Sequence, residues 1–442
     1  MSRIPKSGQR GYTGGIIEDE LKTMEAKMGA NDAKRITEAQ KAHEGESIEL
    51  PMPTDFHVHV RQGPTLAAYV RRVASVCGRA ILMPNTTPPI ASAQALLEYR
   101  RQIEEAASGM ATNDGATSEA ARDRNVPGSK QEATVEPAGS RVPHPRPGFV
   151  PLMTFKLLPG MSAHVVEECA RAGALAGKYY PAGTTTNAAD GPRRPADVAA
   201  ALGAMEAAGL VLCVHAERPG ASSFDREKLF LPDIDFILEK WPRLRVIIEH
   251  VSSRETVDYI LAGPDRLAGT ITAHHLLFTV DDMLGGSLDS SLFCKPLIKF
   301  EEDREALRAA AFSASPRFFF GSDSAPHPID KKLGRHAPAG VYAAPTAIPA
   351  LVELFEAHDA LSSLPAFWAH NGEQFYGLPP LVSSGEGTGA TNIAGPATAS
   401  SSATASSSDT IRLVRDPWVV PEEIDGCIPL CAGKTLLWRI VS

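Results

Sequence analysis

Walked in strand-sized steps, the chain repeats one pattern: a short apolar run, a polar or ionisable group at its end, then helical periodicity. Such runs precede Asp55 and fill Arg79 to Met83, Phe149 to Phe155, Leu175 to Gly177, Val211 to Val214, Val246 to Glu249, Thr270 to Ala273 and Arg317 to Gly321. The clearest helix is Pro195 to Gly209, with proline at its start, Val198, Leu202 and Met205 on one face, and glycine at its end. Leu66, Val70, Val73 and Cys77 make a similar stripe. The spacing between strand ends carries the fold. From Lys178 to His215 is 37 residues, from His215 to His250 is 35, and from His250 to Asp323 is 73, or one, one and two strand-plus-helix units. With residues 107–147 set aside as a 41-residue insertion, the 121 residues from His57 to Lys178 shrink to 80, which holds three units. Eight units predict an α/β chain folded as a (β/α)8 TIM barrel, whose active site lies at the C-terminal strand ends.

Three segments fall outside this repeat. Residues 1 to 47 are polar and then charged without a clear apolar stripe, and read as a flexible extension; its acidic residues between 18 and 49 argue against a transit peptide. Residues 107–147 are rich in small residues, proline and charge, between a helix and the next strand, on the barrel face opposite the chemistry. Residues 381–410 hold a second Ser/Thr/Ala/Gly tract that reads as a linker. After it, 411–442 is expected to pack strand and helix back on the 48–380 barrel.

Composition narrows the function classes. With 442 residues, 43% of them hydrophobic and 22% charged, the chain can bury a large core. A net charge of -8 gives no reason to expect nucleic acid or an anionic membrane as partner. No apolar run is long enough to span a bilayer, and the expected location is cytoplasmic. The six cysteines sit mostly in apolar segments and read as reduced packing residues.

The chemistry collects at the strand ends. In Asp55, Phe56, His57, Val58, His59, Val60, Arg61, an extended backbone would send His57, His59 and Arg61 to one face. Imidazole is the commonest ligand of a borderline metal, and a guanidinium fork suits a carboxylate lying beside it. Lys178, His215, His250 and Asp323 close four other apolar runs. His274 and His275, near the seventh strand end, read as buried packing or supporting residues rather than ligands.

The motifs DFHVHVR, MPNTTPP, KYYPAGTTTN, VHAE, IEHVS, GSDSAPH, APTAIPAL and NGEQFYGLP resemble, in order and spacing, the class II dihydroorotases of the amidohydrolase superfamily. The resemblance covers roughly 48–380 and the tail after 411. It implies a binuclear metal-dependent cyclic amide hydrolase that interconverts N-carbamoyl-L-aspartate and L-dihydroorotate in pyrimidine synthesis. His57 and His59 would bind one metal with Asp323, His215 and His250 a second, and Lys178, carboxylated, would bridge both. Two zinc ions are the expected cofactors, activating a shared water, with Asp323 as general acid and base. Arg61, Asn85 and His327 would hold the substrate's remaining carboxylate with backbone contacts near Lys295 and Ala339, and Gly183 to Asn187 resembles a mobile loop that brings Thr185 and Thr186 over it. In Phe293, Cys294, Lys295, Pro296 the chain carries a lysine where some relatives have an apolar residue. The family expectation is a homodimer.

Other functions share parts of this pattern. A hydantoinase or allantoinase would keep the metal ligands, but its substrate would leave the Arg61 guanidinium unpaired. A catalytically silent scaffold is opposed by retention of all six ligand candidates. A non-enzymatic metal protein is opposed by a ligand set that leaves coordination open.

Overall fold

The computed structural model describes residues 45–109, 148–379, 381 and 410–441. The remainder of the expected extension, insertion and linker lies outside the described residues. Eight strands form one parallel sheet in chain order: β2 (Thr54–Val58), β3 (Arg79–Leu82), β4 (Val150–Lys156), β5 (Ala174–Tyr179), β6 (Val211–Val214), β7 (Arg245–Ile248), β8 (Leu267–Ile271) and β9 (Phe318–Phe320). The ring is closed at its mouth rather than along a full ladder. There Val58 bridges Ser324, Asp323 N donates to His57 O at 2.8 Å and His59 N donates to Ser324 O at 2.9 Å. Asp55 Oδ1 supports the seam by accepting from the backbone of His57 and Ser322.

Helices follow the strands and cover the outside, as alternation dictates: on β6, Val211 and Cys213 face the interior while Leu212 and Val214 join the layer under the helices. Leu66–Val76 and Ala199–Ala208 are the helices that the apolar stripes predict, and Val70, Val73, Leu202 and Met205 are buried. The first turn of the second is a 3-10 turn, Pro195–Val198. The seventh barrel strand, expected over Thr270 to Ala273, shifts in detail: β8 starts at Leu267, and Ala273 already opens a short helix, Ala273–Leu277. The helix before the insertion runs on to Ser108.

A second sheet lies beside the barrel. β1 (Ser47–Pro51) pairs antiparallel with β10 (Thr410–Val419), which pairs with β11 (Thr435–Val441). The stretch from 411, expected as strand and helix, is therefore two strands among the described residues, and Ser47–Pro51 belongs with them rather than with the barrel. No disulfide forms, and all six cysteines are buried. No helix of the described residues is long and apolar enough to cross a membrane.

Candidate metal centre and substrate cavity

Period-two alternation decides what reaches the mouth. Ala176, Cys213, Ile247, Ala268 and Phe319 point into the barrel interior, so the residues two further along, Lys178, His215, Glu249, Thr270 and Gly321, face the same way. Gly321 is needed because a Cβ there would stand 2.8 Å from His57 Cβ. His250 arrives differently: its left-handed backbone, with φ of 45°, turns inward a side chain that alternation after Glu249 would send outward. Asp323, two beyond Gly321, keeps the inward face and also holds left-handed backbone, with φ of 42°.

His57, His59 and Asp323 converge. Nε2 of His57 and Nε2 of His59 lie 3.3 and 3.2 Å from Asp323 Oδ1. One ligand atom from each residue lies within 4.8 Å of the others, and all three side chains are buried. Nδ1 of His57 faces Glu249 Oε2 at 2.8 Å, and that oxygen also accepts from Thr270 Oγ1 at 2.7 Å. Glu249 thereby fixes the ring with Nε2 toward Asp323, as outer carboxylates do for metal-binding imidazoles. Burial disfavours charge on His57, but Glu249 and Asp323 outweigh it and raise its pKa. Burial holds His59 down at about 4 against the pull of Asp323. For Asp323 burial alone would raise the pKa, yet hydrogen bonds from His57 and His59 hold it well below the usual carboxylate range.

His215 and His250 form a second pair, with Nδ1 of the first 3.1 Å from Nε2 of the second. Glu217 Oε2 takes Nε2 of His215 at 2.7 Å, leaving Nδ1 as the lone pair. Burial pushes both imidazoles below their ordinary pKa, so both are neutral. Lys178 is fully buried, its Nζ has no hydrogen-bond partner among the described residues, and burial lowers its pKa. Its partner across the strand pair is Cys213, and just beyond it His215 N donates to Tyr179 O at 3.0 Å.

Above these groups opens a cavity lined by His57, His59, Arg61, Asn85, Tyr180, Thr185, Thr186, His215, His250, Lys295, Asp323 and Ala339, with Ala325 and Gly340. Arg61 does not come in by strand alternation. β2 ends at Val58, and Arg61 reaches the cavity through left-handed backbone with φ of 59°. Its Nε donates to Pro326 O at 3.0 Å, and its Nη2 lies 3.0 Å from His327 Nε2. That same nitrogen lies 3.0 Å from Ala339 O, so it either donates to the carbonyl or accepts from the guanidinium. Burial first, then Arg61, hold His327 down at about 3. Asn85 Nδ2 donates to Thr186 O at 3.3 Å, and Asn187 Nδ2 donates to Asn85 O at 2.9 Å, which lays the 183–187 loop against the end of β3. Lys156, buried at the end of β4, donates to Asn187 O at 2.6 Å and pairs with Asp190.

Of the candidate metal-binding and substrate-binding residues singled out in the sequence, all but Lys178 and His327 line this one cavity; His327 meets Arg61, and Lys178 is buried with Nζ 5.0 Å from the Tyr180 ring centroid. Several working groups escaped sequence reasoning. Glu217 and Glu249 each stand beside a histidine in VHAE and IEHVS, and that adjacency was the available signal. Tyr180, whose buried hydroxyl has no partner among the described residues, follows Lys178 by two. Lys332 donates to the carbonyls of Phe293, Pro338 and Gly340, at 2.8, 3.1 and 2.6 Å, and braces two walls of the cavity. Nothing local distinguishes it from a surface lysine.

No family model matches the chain. Curated relatives do. It is 33% identical over 402 residues to the dihydroorotase of Teredinibacter turnerae, covering 89% of this chain and 99% of that protein. The dihydroorotase of Alkalilimnicola ehrlichii is 35% identical over 404 residues, covering 90% and 100%. Among solved structures, the Saccharomyces cerevisiae dihydroorotase in complex with 5-fluoroorotic acid superposes with a TM-score of 0.70 at 29% identity, covering 90% of this chain and 98% of that one. The Campylobacter jejuni dihydroorotase gives 0.69 at 27%, with the same coverage. An L-hydantoinase from Arthrobacter aurescens shares the fold at 0.64 and 17% identity, covering 89% and 83%.

Proposed function

The chain belongs to the dihydroorotase family, and from that premise we infer that the barrel mouth interconverts N-carbamoyl-L-aspartate and L-dihydroorotate, each group there having one task in that reaction. The donor set fits a pair of divalent cations. His57, His59 and Asp323 would hold one and His215 and His250 the other, with Lys178 between them as a carboxylated side chain. A buried amine with no partner is costly as it stands. Addition of carbon dioxide to it, with loss of a proton, would make a carbamate whose two oxygens share one negative charge and could serve two cations. Nitrogen and oxygen donors without thiolate suit zinc. When bound, the ions lower the pKa of a water and polarise the reacting carbonyl.

The remaining work belongs to the protein's own groups. Asp323 turns Oδ1 to the two histidines, which leaves Oδ2 to carry the proton. In ring closure Oδ2 takes the proton from the ureido nitrogen as that nitrogen attacks the side-chain carboxyl carbon, then passes it to the departing oxygen, which with one further proton from solvent leaves as water. In ring opening Oδ2 takes a proton from the attacking water and gives it to the leaving ring nitrogen. Arg61, with Asn85 and His327, takes the carboxylate that does not react, so that the reacting end is delivered to Asp323. Lys295 adds a cation at the cavity wall, and the backbone at Ala339 faces the ring. Thr185 and Thr186 cover the bound substrate from the 183–187 loop and exclude bulk water. A homodimer acting in the cytoplasm is the expected working form, checked by sedimentation and fractionation.

One observation carries this reading: a carboxylate-binding arginine opens onto the same cavity as the His57, His59 and Asp323 cluster. The test is hydrolysis of dihydroorotate before and after chelation and metal restoration, with Lys178→Ala as control. Activity should vanish and return in the wild type and stay absent in the variant. Activity indifferent to both treatments would remove the assignment. A hydantoin turned over faster than dihydroorotate would shift it to the related cyclic amidohydrolases.

A further inference from the structure

Two histidines and a cysteine outside that machinery form a second cluster of ligand atoms. His274 and His275 open the short helix after β8, and Cys294 precedes the Lys295 that lines the cavity. Their exposures are 0%, 2% and 1%. One donor atom from each lies within 4.8 Å of the other two, and none of the three belongs to the first cluster.

The hydrogen bonding of this cluster is incomplete at His274. In His275, Nδ1 lies 2.8 Å from Thr272 Oγ1, and Nε2–H donates to Pro296 O at 3.2 Å, the carbonyl that Cys294 Sγ also approaches at 3.1 Å. One carbonyl accepting from a ring nitrogen and a sulfur puts both donors on the same side, and Nε2 becomes a ligand atom when its proton moves to Nδ1. The His274 ring lies against His275 with centroids 4.6 Å apart, and neither of its nitrogens has a hydrogen-bond partner among the described residues. A neutral imidazole brings one donor and one acceptor, and leaving both unmet in a dry interior is costly. Burial keeps both rings uncharged, so each offers a lone pair.

We propose that His274, His275 and Cys294 form a third cation site, selective for a soft monovalent d10 ion such as Cu(I). Softness follows from the ligands, since a thiolate with imidazoles prefers Cu(I) or zinc to harder ions. The charge balance selects between those two. On binding, the Cys294 S–H bond breaks, a sulfur–metal bond forms, and the proton leaves to solvent. A monovalent ion replacing that proton leaves the pocket's net charge unchanged. A divalent ion would leave an added positive charge in a buried site with no carboxylate among its ligands, and a structural zinc takes four protein ligands where three stand here; from outside the cluster Lys332 and Lys299 bear on it, and so do Asp323 and Glu227.

The site touches the reaction through the chain itself. Gly340 N donates to Phe293 O at 2.9 Å, and Lys332 ties Phe293 O to Gly340 O. Ligand bonds to an ion of this kind are about 2.0–2.3 Å, so the donors must draw together around it. Cys294 moves with them, and Lys295 and the Ala339–Gly340 wall follow. Occupancy therefore weakens substrate binding rather than the chemical step.

The experiment uses the full chain loaded with its catalytic metals. Cu(I), held reduced and buffered by a chromophoric chelator, is titrated in, with Ag(I) as a redox-inert parallel probe. The expected result is one tightly held ion per chain with the catalytic metals still in place by elemental analysis. X-ray absorption of the wild type should show one sulfur and two nitrogen neighbours. His274→Gln and Cys294→Ala, checked for folding by circular dichroism, should each lose that ion. KM for dihydroorotate should rise about fivefold on loading in the wild type and stay level in His274→Gln. Absence of a stoichiometric ion in the wild type, or sulfur missing from its coordination shell, overturns the proposal. So does uptake matched by release of the catalytic metals, or uptake unchanged in both variants.

Discussion

The floor and the mouth of the barrel are built by the same strands to opposite rules. At the floor, Phe56, Phe319 and Tyr376 pack ring against ring, with centroids 5.0 and 5.8 Å from Phe56, and the Tyr376 hydroxyl meets Cys213 Sγ at 3.2 Å. Gly372 lets the closing helix descend onto them, because a Cβ there would stand 2.3 Å from the Phe56 ring. Two residues further along the strands, Lys178 Nζ, His250 Nδ1, Glu249 Oε1 and the Tyr180 hydroxyl are buried with no partner among the described residues, and three side chains rest on left-handed backbone. The floor is satisfied and the mouth is not. The stability of one end supports strain and desolvation at the other.

Lys178→Met should separate the two ends most sharply. Removing the amine while keeping an unbranched apolar stem should lower kcat for dihydroorotate by a thousandfold or more, on the order of 4 kcal/mol in barrier, while the metal-free protein gains about 1 kcal/mol because an unpaired buried amine is gone. Activity assays and denaturant melts on the same preparation decide it, and a large loss of stability would contradict the contrast. At the floor the expectation inverts. Ile81→Ala should cost about 2–5 kcal/mol of stability and leave kcat within a few-fold of the wild type when measured well below the melting temperature.

Smaller effects test how the mouth is held. Glu249→Gln keeps the shape but weakens the grip on the His57 ring, and metal affinity in chelator competition should fall about 10- to 100-fold. An unchanged affinity would show that Thr270 and packing alone orient the ring. Lys156→Met releases the 181–192 loop from β4. KM should rise about threefold with kcat unchanged, the signature of a lost binding contact rather than a lost chemical step. A fall in kcat instead would place the loop's closure in the rate-limiting step.

The repeat of apolar runs made the barrel legible, since eight strands and their helices follow from period and spacing alone. Ligand types at strand ends pointed to the mouth. What stayed hidden was how the side chains turn. Alternation puts Glu249 inside and His250 outside, and only the backbone twist at His250 reverses the second, a rotation no pattern of residue types records. Arg61 is the same case: it reaches the cavity, but through a turn after β2 has ended. Lys156 and Lys332 were invisible for another reason. Lys332 is held by three backbone carbonyls and Lys156 by the Asn187 carbonyl and the Asp190 carboxylate, and carbonyls leave no mark in a sequence. The tail after 411 shows the limit of local reading, because its second strand is fixed by pairing with β10 rather than by its own composition.

The small sheet carries one more consequence. Thr410 is paired with Pro51, while Leu381 packs at Gly78 beside Met52. The two points where the intervening stretch leaves and rejoins the body are therefore neighbours, held together by strands that do not depend on it. Joining ends that already lie together costs free energy that grows only with the logarithm of the connecting length, about 0.6 kcal/mol for each doubling. A reporter spliced between 381 and 410 is therefore expected to leave dihydroorotate turnover within a few-fold of the wild type.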